Sequence, residues 1–236
     1  MAKLVLIRHG QSEWNLQNRF TGWWDVNLTD KGVAEAKKSG QMLAASGVAF
    51  DQAFVSVQKR AIRTLWIALE EMERTWLPVT KDWHLNERHY GGLTGLDKAE
   101  TAAKHGKDQV QIWRRSYDVP PPPMEKGAEF DPANDVRYAG LDVPMTESLK
   151  LTLERVMPYF NAEIAPLLKA DKNILIAAHG NSLRAIVKDL FDVADDVITG
   201  VEIPTGNPLM IDLDADLKVK SAAYMDADRA TEIPSF

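Results

Sequence analysis

The 236-residue chain contains no cysteine. That removes disulfides, thiolate nucleophiles and zinc–thiolate sites together, and it fits a reducing compartment. Long hydrophobic runs are also missing. No stretch approaches the roughly 20 apolar residues of a membrane span, and the short run Leu4 to Ile7 is too brief for a signal-peptide core. Positive charge is in deficit. The chain has 28 Lys and Arg against 34 Asp and Glu, a formal net charge of −6, so its surface as a whole does not attract nucleic acid. No HExxH zinc signature occurs, and nothing repeats at a period of roughly 20–50 residues. A cytoplasmic protein with no nucleic-acid or membrane partner is expected, and any anion site must come from basic residues clustered locally.

Strand-like and helix-like segments alternate along the chain. Leu4 to Ile7 is continuously apolar, as a strand covered on both faces should be. Thr29 is a good N-cap for a helix running to about Ala45. Asp51 to Val55 reads as a strand, Lys59 to Arg74 as a helix, and Leu77 to Lys81 as a short strand. Between residues 84 and 140 the pattern loosens, with a Gly-rich turn, a helical segment over Lys98 to Arg115, and Pro120 to Pro123. Four prolines cannot continue a helix, so that run is extended. Beyond it come a helix from Leu149 to Leu168 kinked at Pro158, a buried strand Asn173 to Ala178, a helix Ser182 to Phe191 and a last strand Leu209 to Leu213. The prediction is one α/β domain over 1–236: a three-layer, mostly parallel sheet with helices on both faces. The 84–140 segment is expected as an inserted lid and 221–236 as a mobile tail.

Two of the buried strands end the same way, the first in Arg8-His9-Gly10 and the second in His179-Gly180-Asn181. Ligands of open parallel sheets sit beyond the carboxyl ends of the strands. Adjacent strands would therefore set His9 and His179 side by side. A lone strand-end histidine is most often structural; two His-Gly pairs at equivalent places point to a shared site. Imidazoles can bind zinc, but no carboxylate stands at ligand spacing. The neighbours are arginines: Arg8, Arg60, Arg88 and the pair Arg114-Arg115. Guanidinium forks bind phosphate, which makes a phosphate ester or a phosphoryl group in transit the expected partner. Arg8, at a buried strand end, needs an anion to offset its desolvation. Arg63, Arg74, Arg155 and Arg229 read as surface residues, His84 and His105 as surface or turn residues, and His89 as structural. Trp23-Trp24 reads as a subunit or site-edge feature, among tryptophans that mostly pack the core or lid.

With these residues in view, the stretch LIRHGQSEWN (Leu6 to Asn15) resembles the signature of the histidine phosphatase superfamily. Four further stretches narrow the resemblance to the 2,3-bisphosphoglycerate-dependent phosphoglycerate mutases. They are RFTGWWDVNLTDKG (Arg19 to Gly32), SVQKRAIRTLW (Ser56 to Trp66), LNERHYGGLTGLDKAET (Leu85 to Thr101) and HGNSLRAIVK (His179 to Lys188). With WRRSYDVPPPP they cover about residues 3 to 213. RHG alone would fit the whole superfamily, phosphatases included.

The resemblance implies that His9 is phosphorylated and that Glu87 is the general acid/base, with Arg8, Asn15, Arg60 and His179 around the transferring group. It implies that Ser12, Thr21, Gly22, Arg88, Tyr90, Lys98, Arg114, Arg115, Gly180 and Asn181 hold the substrate's second phosphate, its carboxylate, or both. Gly10, Gln11, Glu13, Trp14 and His89 complete the expected substrate-binding set. A backbone carbonyl near Gly10 should fix the His9 tautomer, and burial should raise the Glu87 pKa while Arg88 alongside would pull it down unless its side chain points to the substrate. The implied reaction is interconversion of 3- and 2-phosphoglycerate in glycolysis and gluconeogenesis, primed by 2,3-bisphosphoglycerate. No metal is implied, because cationic side chains would stabilise the transferring group, and the chain is expected as a homo-oligomer, most simply a dimer. A phosphatase of the same superfamily and a catalytically silent scaffold stand as alternatives.

Overall fold

The computed structural model describes residues 1–235. Its centre is one six-stranded sheet ordered β3-β2-β4-β1-β5-β6. Strand β1 (Ala2–Arg8) lies parallel to β4 (Ile174–Ala178), which lies parallel to β2 (Gln52–Val55), which pairs in parallel with β3 (Val79–Lys81). On its other side β1 meets β5 (Leu209–Leu213) in antiparallel register, and β6 (Val219–Tyr224) closes that edge as a hairpin with β5. The alternation of side chains along a strand explains why β1 and β4 carry no polar residue in mid-strand. Leu4 and Leu6 of β1, with Ile174, Ile176 and Ala178 of β4, enter one core; Val5 and Ile7, with Leu175 and Ala177, enter the other.

Helices cover both faces, as expected. After the single-turn α1 (Glu13–Leu16), α2 (Asp30–Ala45) and α3 (Lys59–Glu71) lie on the Val5/Ile7 face, packing Leu43, Ala61, Leu65 and Leu69 against it. Thr29 caps α2 through its side chain on Gly32 N at 3.1 Å. Helix α3 stops before Arg74 because Glu73 takes a left-handed conformation, φ 55°.

In the 84–140 segment, the expected helix over Lys98 to Arg115 is two helices, α4 (Lys98–His105) and α5 (Lys107–Arg115), broken where Gly106 adopts φ 88°. Phe20, Leu93 and Val110 form a small core of their own there, apart from the sheet. The proline run is extended and pinned: Pro122 O accepts from Gly92 N at 2.8 Å and Pro121 O from the Thr146 hydroxyl at 2.8 Å.

The opposite face of the sheet is covered by α6 (Leu149–Tyr159), α7 (Ala165–Lys169) and α8 (Gly180–Leu190). A π-helical turn, Phe160–Ile164, joins α6 to α7. Pro158 lies inside α6 and Pro166 opens α7, so two N–H donors of a continuous helix are missing and the widened turn lets the chain carry on. Helix α8 starts two residues before the expected Ser182, with His179 as its N-cap, and is followed by the short α9 (Asp195–Ile198). Leu209 to Leu213 is not the last strand: Ser221 to Tyr224, assigned to the tail from sequence, belong to β6. Among the described residues, no helix is long and apolar enough to cross a membrane.

Candidate active site

Pairing of β1 with β4 brings together residues 170 positions apart. Arg8 lies opposite Ala178, and His9 N donates to Ala178 O at 3.0 Å. The His9 and His179 rings are therefore neighbours, their centroids 5.0 Å apart. His9 Nδ1 lies 2.7 Å from Gly10 O. A carbonyl can only accept, so Nδ1 carries the proton and Nε2 keeps its lone pair, as the tautomer expectation required. Glycine is needed at position 10, since a Cβ there would stand 2.2 Å from Gly32 O.

Arg60, from the first turn of α3, lies buried against this imidazole. Its Nε donates to His9 Nε2 at 3.2 Å, while Nη1 and Nη2 are fixed on Trp24 O and Gly22 O at 3.0 and 2.8 Å. Burial lowers the Arg60 pKa to about 10, which leaves it cationic at neutral pH. His9 is held well below its usual pKa by burial and then by the charges of Arg60 and Arg8. His179 is lowered in the same way, by burial, Arg60 and His9. Its Nε2 is 2.7 Å from the Ser56 hydroxyl, and its Nδ1 is buried with no protein partner.

Glu87 completes the inner cluster. Its Oε1 accepts from Arg88 N at 2.8 Å, Asn181 N at 3.0 Å and Asn181 Nδ2 at 2.9 Å; Oε2 is engaged by none of them. The expectation of a raised pKa is corrected here. Burial does push the carboxyl up, but the Arg88 backbone bond, the Asn181 bond and the charges of Arg60 and Arg8 outweigh it, and the net direction is down. The Arg88 guanidinium turns elsewhere, donating to Arg114 O at 3.2 Å and lying 4.6 Å from the centre of the Tyr90 ring.

These groups open into a cleft of about 130 Å³. Of the predicted residues, Arg8, His9, Asn15, Thr21, Gly22, Arg60, Glu87, Tyr90, Lys98, Arg114, Arg115, Gly180 and Asn181 line it. Arg88 and His179 stand just behind it, bonded as described. Six others face away for identifiable reasons. Ser12 caps α1 on Asn15 N, and Gly10 and Gln11 pack against Gly32. Glu13 accepts from Asn27 N, Trp14 lies against Trp24 and Phe130, and His89 accepts from Gly91 N through Nδ1 at 2.9 Å. Arg19, Phe20, Arg184 and Glu202 also line the cleft and were not foreseen. Arg19 and Arg184 fall inside the quoted motif stretches; a motif marks the stretch without saying which arginine turns inward.

Arg155, expected at the surface, is buried behind the site. It pairs with Glu147 (Nε–Oε1 2.6 Å) and donates to the carbonyls of His84 and Glu87 at 2.6 and 3.2 Å. Trp23 lies beside it and donates its indole N–H to Glu87 O at 2.6 Å. Among the described residues, no group of three or more His, Asp or Glu side chains is arranged to hold a metal ion. Arg8 Nε, Arg88 Nε and His179 Nδ1 are buried without protein partners. Buried donors without partners are costly, and of these three residues Arg8 lines the cleft itself, where an anion could reach its Nε.

Comparison with known proteins agrees with this geometry. A sequence model described as the histidine phosphatase superfamily (branch 1) matches residues 4–219. Curated relatives named 2,3-bisphosphoglycerate-dependent phosphoglycerate mutase include one from Hyphomonas neptunium, 65% identical over 99% of each chain. Another from Caulobacter sp. (strain K31) is 65% identical over 100% of this chain and 99% of its own. Among solved structures, a mycobacterial glucosyl-3-phosphoglycerate phosphatase in complex with VO3 superposes with a TM-score of 0.71 at 21% identity, covering 98% of this chain and 100% of that one. At that identity the likeness concerns the fold alone. The chain belongs to branch 1 of the histidine phosphatase superfamily and, within it, to the family of the 2,3-bisphosphoglycerate-dependent phosphoglycerate mutases.

Proposed function

We propose that the chain is a phosphoglycerate mutase, an isomerase interconverting 3-phosphoglycerate and 2-phosphoglycerate in glycolysis and gluconeogenesis, working through a phosphohistidine at His9. The observation that carries the reading is the state of that imidazole. It is neutral, its proton is fixed on Nδ1 by Gly10 O, and its unprotonated Nε2 accepts from Arg60 Nε at 3.2 Å, a bond that an incoming phosphoryl group would replace. A neutral imidazole is a good nucleophile toward phosphorus and a good leaving group afterwards. Arg8, Arg60, Asn15 and His179 would meet the oxygens of the phosphoryl group while it is between partners, where donors already in place contribute most.

Glu87 takes the proton from the substrate hydroxyl that attacks the phosphohistidine and gives it back on the return transfer. Its lowered pKa keeps it ionised before substrate binds. An incoming phosphate would offset the charges of Arg60 and Arg8 and raise its basicity when it is needed. Lys98, Arg114, Arg115, Tyr90 and Thr21 would hold the far anionic end of the substrate. When bound, 2,3-bisphosphoglycerate supplies the phosphoryl group that first charges His9. The unpartnered Arg8 Nε fits such a ligand. The 84–140 segment would act as the lid that keeps water from the phosphohistidine.

The test is conversion of 3- to 2-phosphoglycerate by the purified chain with and without trace bisphosphate. Stimulated isomerisation is expected, and His9→Ala should lose both turnover and acid-labile labelling. Phosphate release without isomerisation would mark a phosphatase, and no turnover a scaffold; either overturns the proposal.

A further inference from the structure

The cleft contains a second carboxylate, Glu202, for which the phosphoryl-transfer chemistry has no task. One oxygen pairs with Arg115 Nη2, and the other lies 3.4 Å from Arg184 Nη2. Burial would raise its pKa, but Arg184 and Arg115 more than reverse that, so it is an anion set among cations that face the ligand.

Its position is built, not incidental. Three consecutive carbonyls around it are each tied down: Val201 O by Arg184 Nε at 2.6 Å, Glu202 O by the Thr231 hydroxyl at 2.7 Å, and Ile203 O by Arg8 Nη1 at 2.8 Å. The backbone is thus anchored to two of the cleft's own arginines. The Glu202 side chain is 45% exposed, with solvent on one side, whereas the Arg184 side chain is only 10% exposed. Were Glu202 to leave, Arg184 would keep Asn181 Oδ1 (2.9 Å) and Val201 O. Arg115 would keep only a 3.4 Å contact to Thr199 O and could turn to a ligand.

We propose that Glu202 is an internal counter-ion that occupies Arg115 and Arg184 until an incoming anion displaces it, and that it disfavours ligands in proportion to their negative charge. Coulomb repulsion scales with ligand charge. A monophosphoglycerate carries about −3 and the bisphosphate about −5 at neutral pH. Glu202 therefore sets how readily the primer is captured and how readily a bisphosphorylated intermediate is lost. This inference rests on the reading of the cleft as a phosphoglycerate site.

The test is calorimetric titration of 3-phosphoglycerate and of 2,3-bisphosphoglycerate into chains carrying His9→Ala, which prevents phosphoryl transfer. Adding Glu202→Gln, which keeps the shape and one acceptor oxygen but removes the charge, should tighten the monophosphate about threefold and the bisphosphate about sixfold. Glu202→Asp should leave the ratio of the two affinities as in the parent. Glu202→Ala, a second neutral variant in case the first folds poorly, should shift both affinities in the same direction as Gln. Unchanged or weaker binding in the neutral variants, or an equal change for both ligands, would overturn the inference while the cleft reading stands. A His9→Ala chain that binds neither ligand would overturn both.

Discussion

The buried histidines His9, His89 and His179 are each kept neutral, burial being the first cause in every case. For His9 this suits the proposed chemistry, since a protonated imidazole could not attack phosphorus. For His89, whose pKa is lowered to about 4, it makes stability depend on pH. The unfolded chain takes up a proton on this histidine below about pH 6.5, while the folded chain resists until about pH 4. The group's full contribution is present above pH 6.5 and is lost as pH falls through that window, an effect of about 3 kcal/mol. His89→Asn keeps an acceptor for Gly91 N without a titrating ring. Urea unfolding at pH 7.5 and pH 4.5 should show a smaller loss in the variant than in the parent; equal losses would contradict this. At this scale the inner cluster was legible, because His9, Arg60, Glu87 and His179 sit in distinctive motifs. Arg184 and Glu202 were not, because a helical arginine and a loop glutamate look solvated until α8 packs on the sheet and the 201–203 loop returns over it. Arg155 was misread for the same reason.

Arg155 also shows how elements are joined. From α6 it reaches the carbonyls of the 83–87 loop that carries Glu87, while Glu147 neutralises it at 2.6 Å with both side chains buried. Removing one member of such a pair strands the other charge. Arg155→Met should cost about 3–5 kcal/mol in denaturant unfolding, and adding Glu147→Met should recover a substantial part of it. A double variant no more stable than the single would show that the hydrogen bonds to the loop, and not the buried charge, dominate. Element types were readable from the apolar runs of β1 and β4 and from the Thr29 cap. Boundaries failed where one backbone conformation decided them, at Gly106 between α4 and α5 and at Glu73 after α3. Strand β6 was missed because it lies at a half-exposed sheet edge, with only Tyr224 fully buried, so its sequence carries little apolar signal.

Taken whole, the molecule separates its charge. Seven cationic side chains and two carboxylates line the cleft of a chain whose net charge is −6. An anionic substrate is drawn to one place and repelled elsewhere, so kcat/KM for phosphoglycerate should fall roughly 3- to 10-fold between 10 and 300 mM KCl. A salt-independent kcat/KM would show that local contacts alone guide binding. The sheet order carries a further consequence. Strands β1 and β2 are not neighbours; β4, made some 120 residues after β2, inserts between them. During synthesis both must wait with open edges, and the imidazoles of His9 and His179 have no common location until the second half of the chain has emerged. A nascent or truncated polypeptide ending before β4 is therefore both inactive and adhesive, and a natural client for chaperones that shield unpaired strands.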